Sequence, residues 1–274
     1  MIRRGIGVQS FVAAGGAGTD ADAQAFITAA AITDATQQSA INTLVTDLKT
    51  YGIWTKMKAI YPFVGGTASA HKFNLKDPRD MDAAFRLVFS GGWTHSSNGA
   101  LPNGTNGYAN TYCNPQSQLG INSNHLSHYS RTQVSNTNTH DMGCETGAGL
   151  NFNLFQYYSA ITNKGFNDGA YPTNAAVSNT TNTLGLALGT RQTNTSLKLF
   201  FNSSLLTTNT TAKSATNYPN FNIYIGATDS NNTAAAYSSR QCAFASIGDG
   251  LTDTEAANLY TAVQAYQTTL SRNV

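Results

Sequence analysis

Carboxylates set the first limit on what this chain could catalyse. The sequence holds two glutamates, Glu145 and Glu255. Hydrolysis of a glycosidic bond needs two carboxyl groups about 5 to 9 Å apart, flanking the scissile bond. Glu145 stands four residues after Asp141 in HDMGCETG, with Gly143 and Cys144 between them. No alternating acidic strand of the E-x-D-x-E type occurs, so Glu145 reads as a strand-end surface residue. Glu255 lies three residues after Thr252, where a helix cap would use it. The densest acidic cluster is Asp77, Asp80 and Asp82 in KDPRDMD. Clustered Asp oxygens suit calcium, yet Lys76 and Arg79 sit among them, and Asp and Pro commonly set turn geometry. His125 and His128 are three apart, which on a strand points them to opposite faces. With His140 they read as solvated polar positions. Cys113, Cys144 and Cys242 are odd in number and lack a C-x-x-C spacing, so they read as buried free thiols. Neither a G-x-S-x-G elbow nor a phosphate-binding glycine loop is present. The sequence therefore implies no catalytic residue, no metal and no cofactor.

Sugar recognition asks for something else. It needs an aromatic platform for the apolar face of the ring, surrounded by amides and hydroxyls. The stretch from 91 to 124 offers Trp93, His95, Asn98, Asn103, Asn106, Tyr108 and Tyr112, followed by Tyr129 and Arg131. From these, Trp93, His95, Asn106, Tyr108, Tyr129 and Arg131 form the candidate glycan-binding set. The plainer alternative makes Trp93 a core plug beside the Gly91–Gly92 turn.

These residues must be positioned by something, and the chain's periodicity says what. Residues 19–32 begin with Asp-rich capping chemistry. Asp34 and Gln37 have capping-box spacing ahead of Ile41, Leu44, Val45 and Leu48, a helical stripe closed by Gly52. From Lys56 to Gly248 the period becomes two. Leu150, Phe152 and Leu154 alternate with Asn151 and Asn153; Leu184, Leu186 and Leu188 alternate with Gly185, Ala187 and Gly189. Similar runs surround Phe85–Phe89, Leu197–Phe201 and Phe221–Ile225. One apolar and one polar face per strand is the pattern of antiparallel sheets in a sandwich. Thr252 and Glu255 then open a final helix carrying Leu259, Val263, Tyr266 and Leu270. The expected organisation is an extended arm over 1–18, a helical segment over 19–55, and a β-sandwich with its C-terminal helix over 56–274.

Composition agrees and excludes several roles. The 274 residues carry 11% charged side chains and a net charge of +2, while Asn, Thr and Ser fill close to a third of the chain. That is far below the charge content of an average soluble domain, about 25%. Sixteen basic residues against fourteen acidic ones, with no basic run beyond Arg3–Arg4, disfavour nucleic acid as a partner. No apolar stretch is long enough to span a membrane. Glycines and polar residues interrupt the first apolar run, which argues against a signal peptide.

Five segments carry a resemblance. TSLKLFFNSSLLTTN resembles the hairpin of concanavalin-like and laminin-G-like jelly rolls, and FNIYIGATD with CAFASIGDGLTDTEAANLYTAVQAYQ resembles their closing strands and helix. YGIWTKMKAIYPFVGGTASAHKFNLKDPRD and GGWTHSSNGALPNGTNGYANT are similar to a module of structural proteins in tailed phages. The resemblance implies a mainly β, antiparallel jelly-roll β-sandwich with two N-terminal helices and one C-terminal helix. It implies a non-enzymatic virion component at a particle surface: a capsid decoration, head fibre or tail part. Partners would be other copies of the chain, with a trimer as the family expectation, and other virion proteins. Small uncharged polar groups suit such contacts because they pack without large charge-desolvation costs. The alternative is an adhesion module that binds host-surface glycans, which expects Trp93 or Tyr108 in solvent beside free amides. A divergent glycosidase is a third reading and requires Glu145 and a second carboxylate in one cleft.

Overall fold

A computed structural model describes residues 18–135, 138–147, 149–158, 164–170, 174–178 and 181–274. The arm expected over 1–18 thus lies outside the described residues except for Gly18.

Helix α1 (Ala21–Ala29) starts where the Asp20 side chain accepts from the Asp22 N–H. Helix α2 (Ala35–Thr50) starts where Asp34 accepts from the Gln37 N–H. The capping box is half formed there, because the Gln37 side chain instead accepts from the Gly65 N–H at 3.1 Å. Gly52 follows the helix end with φ +71°, a conformation that suits a residue without Cβ. Two short helices, α3 (Ala68–His71) and α4 (Pro115–Gln118), lie between strands. Helix α5 (Asp253–Thr269) has the full reciprocal box between Thr252 and Glu255. No helix among the described residues is long and apolar enough to cross a membrane.

Strands run in the order β1 (Met57–Tyr61), β2 (Val88–Ser90), β3 (Trp93–Ser96), β4 (Gly99–Pro102), β5 (Tyr108–Asn110), β6 (Asn124–Ser130), β7 (Met142–Glu145), β8 (Leu150–Phe155) and β9 (Lys164–Ala170). They continue with β10 (Asn174–Val177), β11 (Gly185–Thr193), β12 (Ser196–Phe201), β13 (Ser204–Asn209), β14 (Tyr224–Ile225), β15 (Thr228–Ser230), β16 (Thr233–Ala235) and β17 (Cys242–Gly248). The first sheet has the order β13-β12-β11-β6-β17-β4-β3, with β1 also on β17; the second has β10-β9-β8-β7-β14-β5-β2, with β15 on β7 and β16 on β15. Pairing is antiparallel apart from β15 on β7. The β12–β13 hairpin turns on Asn202 and Ser203, both with positive φ, the conformation of a tight two-residue hairpin turn.

The chain forms three layers. Helices α1, α2 and α5 pack on the outer face of the first sheet through Phe26, Ile41, Leu44, Leu259, Val263, Leu186, Leu188 and Phe244. The two sheets enclose a second core that includes Tyr61, Leu126, Phe152, Leu154, Phe166, Leu199 and Ile247. This corrects the expectation of one polar face per strand. In β6 and β17 every residue is buried, because helices cover one face and the second sheet covers the other. The Leu186/Leu188 face of β11 meets the helices, while its Ala187/Gly189 face makes room for the second sheet. A Cβ on Gly189 would stand 2.0 Å from the Phe166 ring. Two other apolar runs are less regular than their alternation suggests. Phe85 takes a left-handed conformation (φ 59°), so the strand begins at Val88, and near Phe221 only Tyr224–Ile225 pair.

Three buried polar clusters tie the layers together. Asp168 accepts from both Arg191 and Lys213 between the sheets. Asp141 accepts from Arg240 at 3.0 Å and from Ser238 at 2.8 Å. Arg272, fully buried, donates to the backbone carbonyls of Pro62, Phe63, Ser97 and Ala243, anchoring the C-terminus over the first sheet.

Candidate functional site

Among the described residues no helix covers the outer face of the second sheet, and its strands carry amides there. On β8, Phe152 and Leu154 point into the inter-sheet core, so alternation sends Asn151, Asn153 and Phe155 outward. Register then builds a cross-strand row: Gly143 of β7 opposes Asn153, Asn153 opposes Asn167 of β9, and Asn167 opposes Asn174 of β10. The neighbouring row sets Glu145 opposite Asn151. Phe155 opposes Gly165, whose missing side chain leaves room for the ring; a Cβ there would meet it at 2.3 Å.

These residues line a cleft of about 270 Å³ together with His140 and Tyr158. One wall is aromatic. The Tyr158 ring stacks on the His140 imidazole at 5.4 Å and 14°, and Phe155 tilts against both at 5.4 and 5.6 Å. The other wall is polar and partly fixed: the Asn153 amide donates to Glu145 at 3.0 Å, and the Asn153 carbonyl oxygen accepts from Thr228 at 3.2 Å. His140 is 6% exposed, and its Nδ1 has no partner among the described residues. Burial lowers its pKa against the opposing pull of Glu145 and Asp141, so the ring is neutral at pH 7. Asp141 does not join Glu145 in the cleft. Burial favours its neutral form, but Arg240 and His128 prevail and hold the carboxyl below its ordinary range. Glu145 is therefore the one carboxylate among the described lining residues. Phe155 and Asn153 are themselves buried, backing the cleft, so the groups open to a ligand are the Tyr158 ring and the Asn151, Asn167, Asn174 and Glu145 side chains, which can stack on an apolar ring face and exchange hydrogen bonds with hydroxyls.

The six candidate residues lie outside this cleft: Trp93, His95, Asn106 and Tyr108 come together around strand β3, with the Trp93 and His95 rings stacked at 6.1 Å, and Tyr129 and Arg131 lie apart from them. Trp93 is half-buried; its indole N–H donates to the Ser90 and Tyr108 carbonyls, and its ring packs edge-on against Phe89 at 5.2 Å. His95 faces His71, Nδ1 to Nδ1 at 2.9 Å, with burial lowering its pKa. The Asn106 side chain accepts from the Gly92 N–H and from the Asn103 amide, holding the loop closed. Tyr108 stacks on Tyr224 at 4.7 Å, and both rings are partly or wholly covered. The remaining two are corrected by the three-layer packing. Tyr129 is fully buried on the helix side of the first sheet, its hydroxyl donating to Gln264 at 3.2 Å. Arg131 donates to the Arg272 carbonyl at 2.6 Å, beside the C-terminus.

The histidines are likewise not solvated. His125 bonds Ser246 and the Asp249 carbonyl on the helix side, His128 is buried between the sheets, and His140 is buried in the cleft wall. The Asp77, Asp80 and Asp82 carboxylates pair with Arg79, Lys72 and Arg86. Cys113, Cys144 and Cys242 are buried and free. Sequence reasoning missed the cleft, though half of its signal was visible in the Asn151/Asn153 alternation. Pairing with Asn167 and Asn174 was not.

No protein-family model matches the sequence, and no curated protein does. Solved structures match in shape. Domain 4 of an extracellular arabinanase from Geobacillus stearothermophilus, in complex with arabinotriose, aligns at TM-score 0.50 and 13% identity over 74% of this chain and 98% of that one. A mutant Trypanosoma rangeli sialidase displaying trans-sialidase activity aligns at TM-score 0.52 and 13% identity, over 84% of this chain and 39% of that one. The shared fold is a β-sandwich of two largely antiparallel sheets. At such identities the likeness speaks for the fold alone.

Proposed function

We propose that this protein is a glycan-binding module and that the cleft on the outer face of the second sheet is its site. The observation that carries the reading is the juxtaposition of the Phe155–Tyr158–His140 wall with the Asn151, Asn153, Asn167 and Asn174 amides in one depression. Aromatic area supplies stacking and amides supply paired donors and acceptors, the two demands of a sugar ring. The lectin-like fold of the solved neighbours supports it. Binding rather than hydrolysis is proposed because Glu145 has no second carboxylate beside it among the described lining residues. We place the module, on sequence composition and resemblance, at the surface of a phage particle among copies of itself and other virion proteins.

The test is a glycan array probed with the native protein and with Tyr158→Ala. Binding by the native chain and a loss of at least about tenfold in the variant, roughly 1.4 kcal/mol, is the expected result. Binding that survives the substitution unchanged would move the site elsewhere. Reducing-sugar release from polysaccharides is expected from neither the native chain nor Glu145→Gln. Release by the native chain alone would make Glu145 catalytic.

A further inference from the structure

The charge of the cleft specifies its ligand further. Resting on the glycan-binding reading above, we infer that the site takes neutral sugars and discriminates against those bearing a carboxylate or sulfate, such as sialic and uronic acids. Glu145 supplies a negative charge at the polar wall, half-buried and hydrogen-bonded to Asn153. No Lys or Arg lines the cleft among the described residues.

Lys164 and Arg240 are engaged elsewhere. Lys164 sits two residues before Phe166 on β9, which puts it on the inner face. Its ammonium donates to the Gln156 carbonyl and lies 4.2 Å from the Phe201 ring centre. Arg240 is bound to Asp141. His140 contributes no positive charge, because burial keeps its imidazole neutral. An anionic sugar entering here would lose water, meet the Glu145 carboxylate and find no counter-charge. Like charges so placed repel strongly in a partly desolvated cleft.

A neutral sugar meets only suitable partners. The unpartnered, nine-tenths-buried Nδ1 of His140 and the amide row offer both donors and acceptors. Glu145 accepts from hydroxyls. Asn153 is fully buried with both amide atoms engaged, so the reachable amides of the row are Asn167 and Asn174, on adjacent strands about 4.8 Å apart.

The experiment measures affinity for matched pairs: lactose against sialyllactose, and xylotriose against its glucuronic-acid-substituted form, with arabinotriose as a further neutral probe. At least one neutral probe is expected to bind at least about tenfold more tightly than its acidic partner at low salt. Glu145→Gln is expected to shrink that ratio, and Glu145→Lys to invert it. An acidic sugar bound as tightly as its neutral partner, or a ratio unmoved in both variants, overturns the charge inference while leaving glycan binding intact. No binding by any neutral or acidic probe, on the panel or on an array, overturns both.

Discussion

At the scale of single residues, this chain has few charges and buries several of them. Asp168 accepts from Arg191 and from Lys213 at 2.6 Å, with all three side chains almost completely enclosed. Burial pushes the Lys213 ammonium down to about 8, and Asp168 opposes that fall. Removing the carboxylate would strand two buried cations, and breaking a buried pair in this way costs about 3 to 5 kcal/mol. Asp168→Asn is therefore expected to lower the denaturation midpoint sharply in a urea titration. A change below about 1 kcal/mol would show that water reaches the cluster. The buried histidines set a pH dependence. Burial lowers His71 to about 3 and His125 to about 4, whereas an unfolded chain protonates its imidazoles near 6.5. Between those values the unfolded state binds more protons, so stability rises with pH. The contribution is complete above about pH 6.5 and is lost as pH falls toward 4. Tm measured from pH 7.5 to 4.5 is expected to decline below about 6.5. A flat profile would mean that these imidazoles reach water.

At the scale of elements, local chemistry and tertiary cover contribute differently. The Thr252–Glu255 box forms both of its hydrogen bonds, and Glu255 also holds Lys56 at 2.6 Å. Thr252→Ala is expected to cost about 1 kcal/mol through the lost cap, read as a shift of Tm. No shift would show that packing of Leu259, Val263 and Tyr266 alone fixes the helix. On β9, Gly165→Ala would drive a Cβ into the Phe155 ring. The ring must move, so glycan affinity is expected to fall by more than stability does; intact affinity would remove Phe155 from the platform. These elements also show what the sequence made legible. Capping residues and the stripe of α5 were readable because they act within four residues. The alternation of β8 was readable for the same reason. The Gln37 side chain left its own helix for Gly65 N–H, and the polar-looking faces of β6 became interior, because both outcomes depend on partners distant in sequence.

At the scale of the whole molecule, the layering explains where a ligand can go. The first sheet is covered by α1, α2 and α5 on one side and by the second sheet on the other. Aromatic residues that looked available in the sequence, Tyr129 foremost, are consumed by this packing. Among the described residues no helix covers the outer face of the second sheet, and the amides of β8, β9 and β10 meet there through strand pairing. A sandwich was legible from period-two runs and turn residues. Strand order was not, because the long-range pairings that set it leave no periodic trace in one sequence. The most direct measurement is a chemical-shift titration of the ¹⁵N-labelled protein with a neutral oligosaccharide pool, reading side-chain amides and backbone together. Shifts concentrated at Asn151, Asn153, Asn167, Asn174, Tyr158 and His140 are the predicted result. Shifts concentrated instead around Trp93, His95 and Tyr108, with the second-sheet face unmoved, would contradict the assignment of the site.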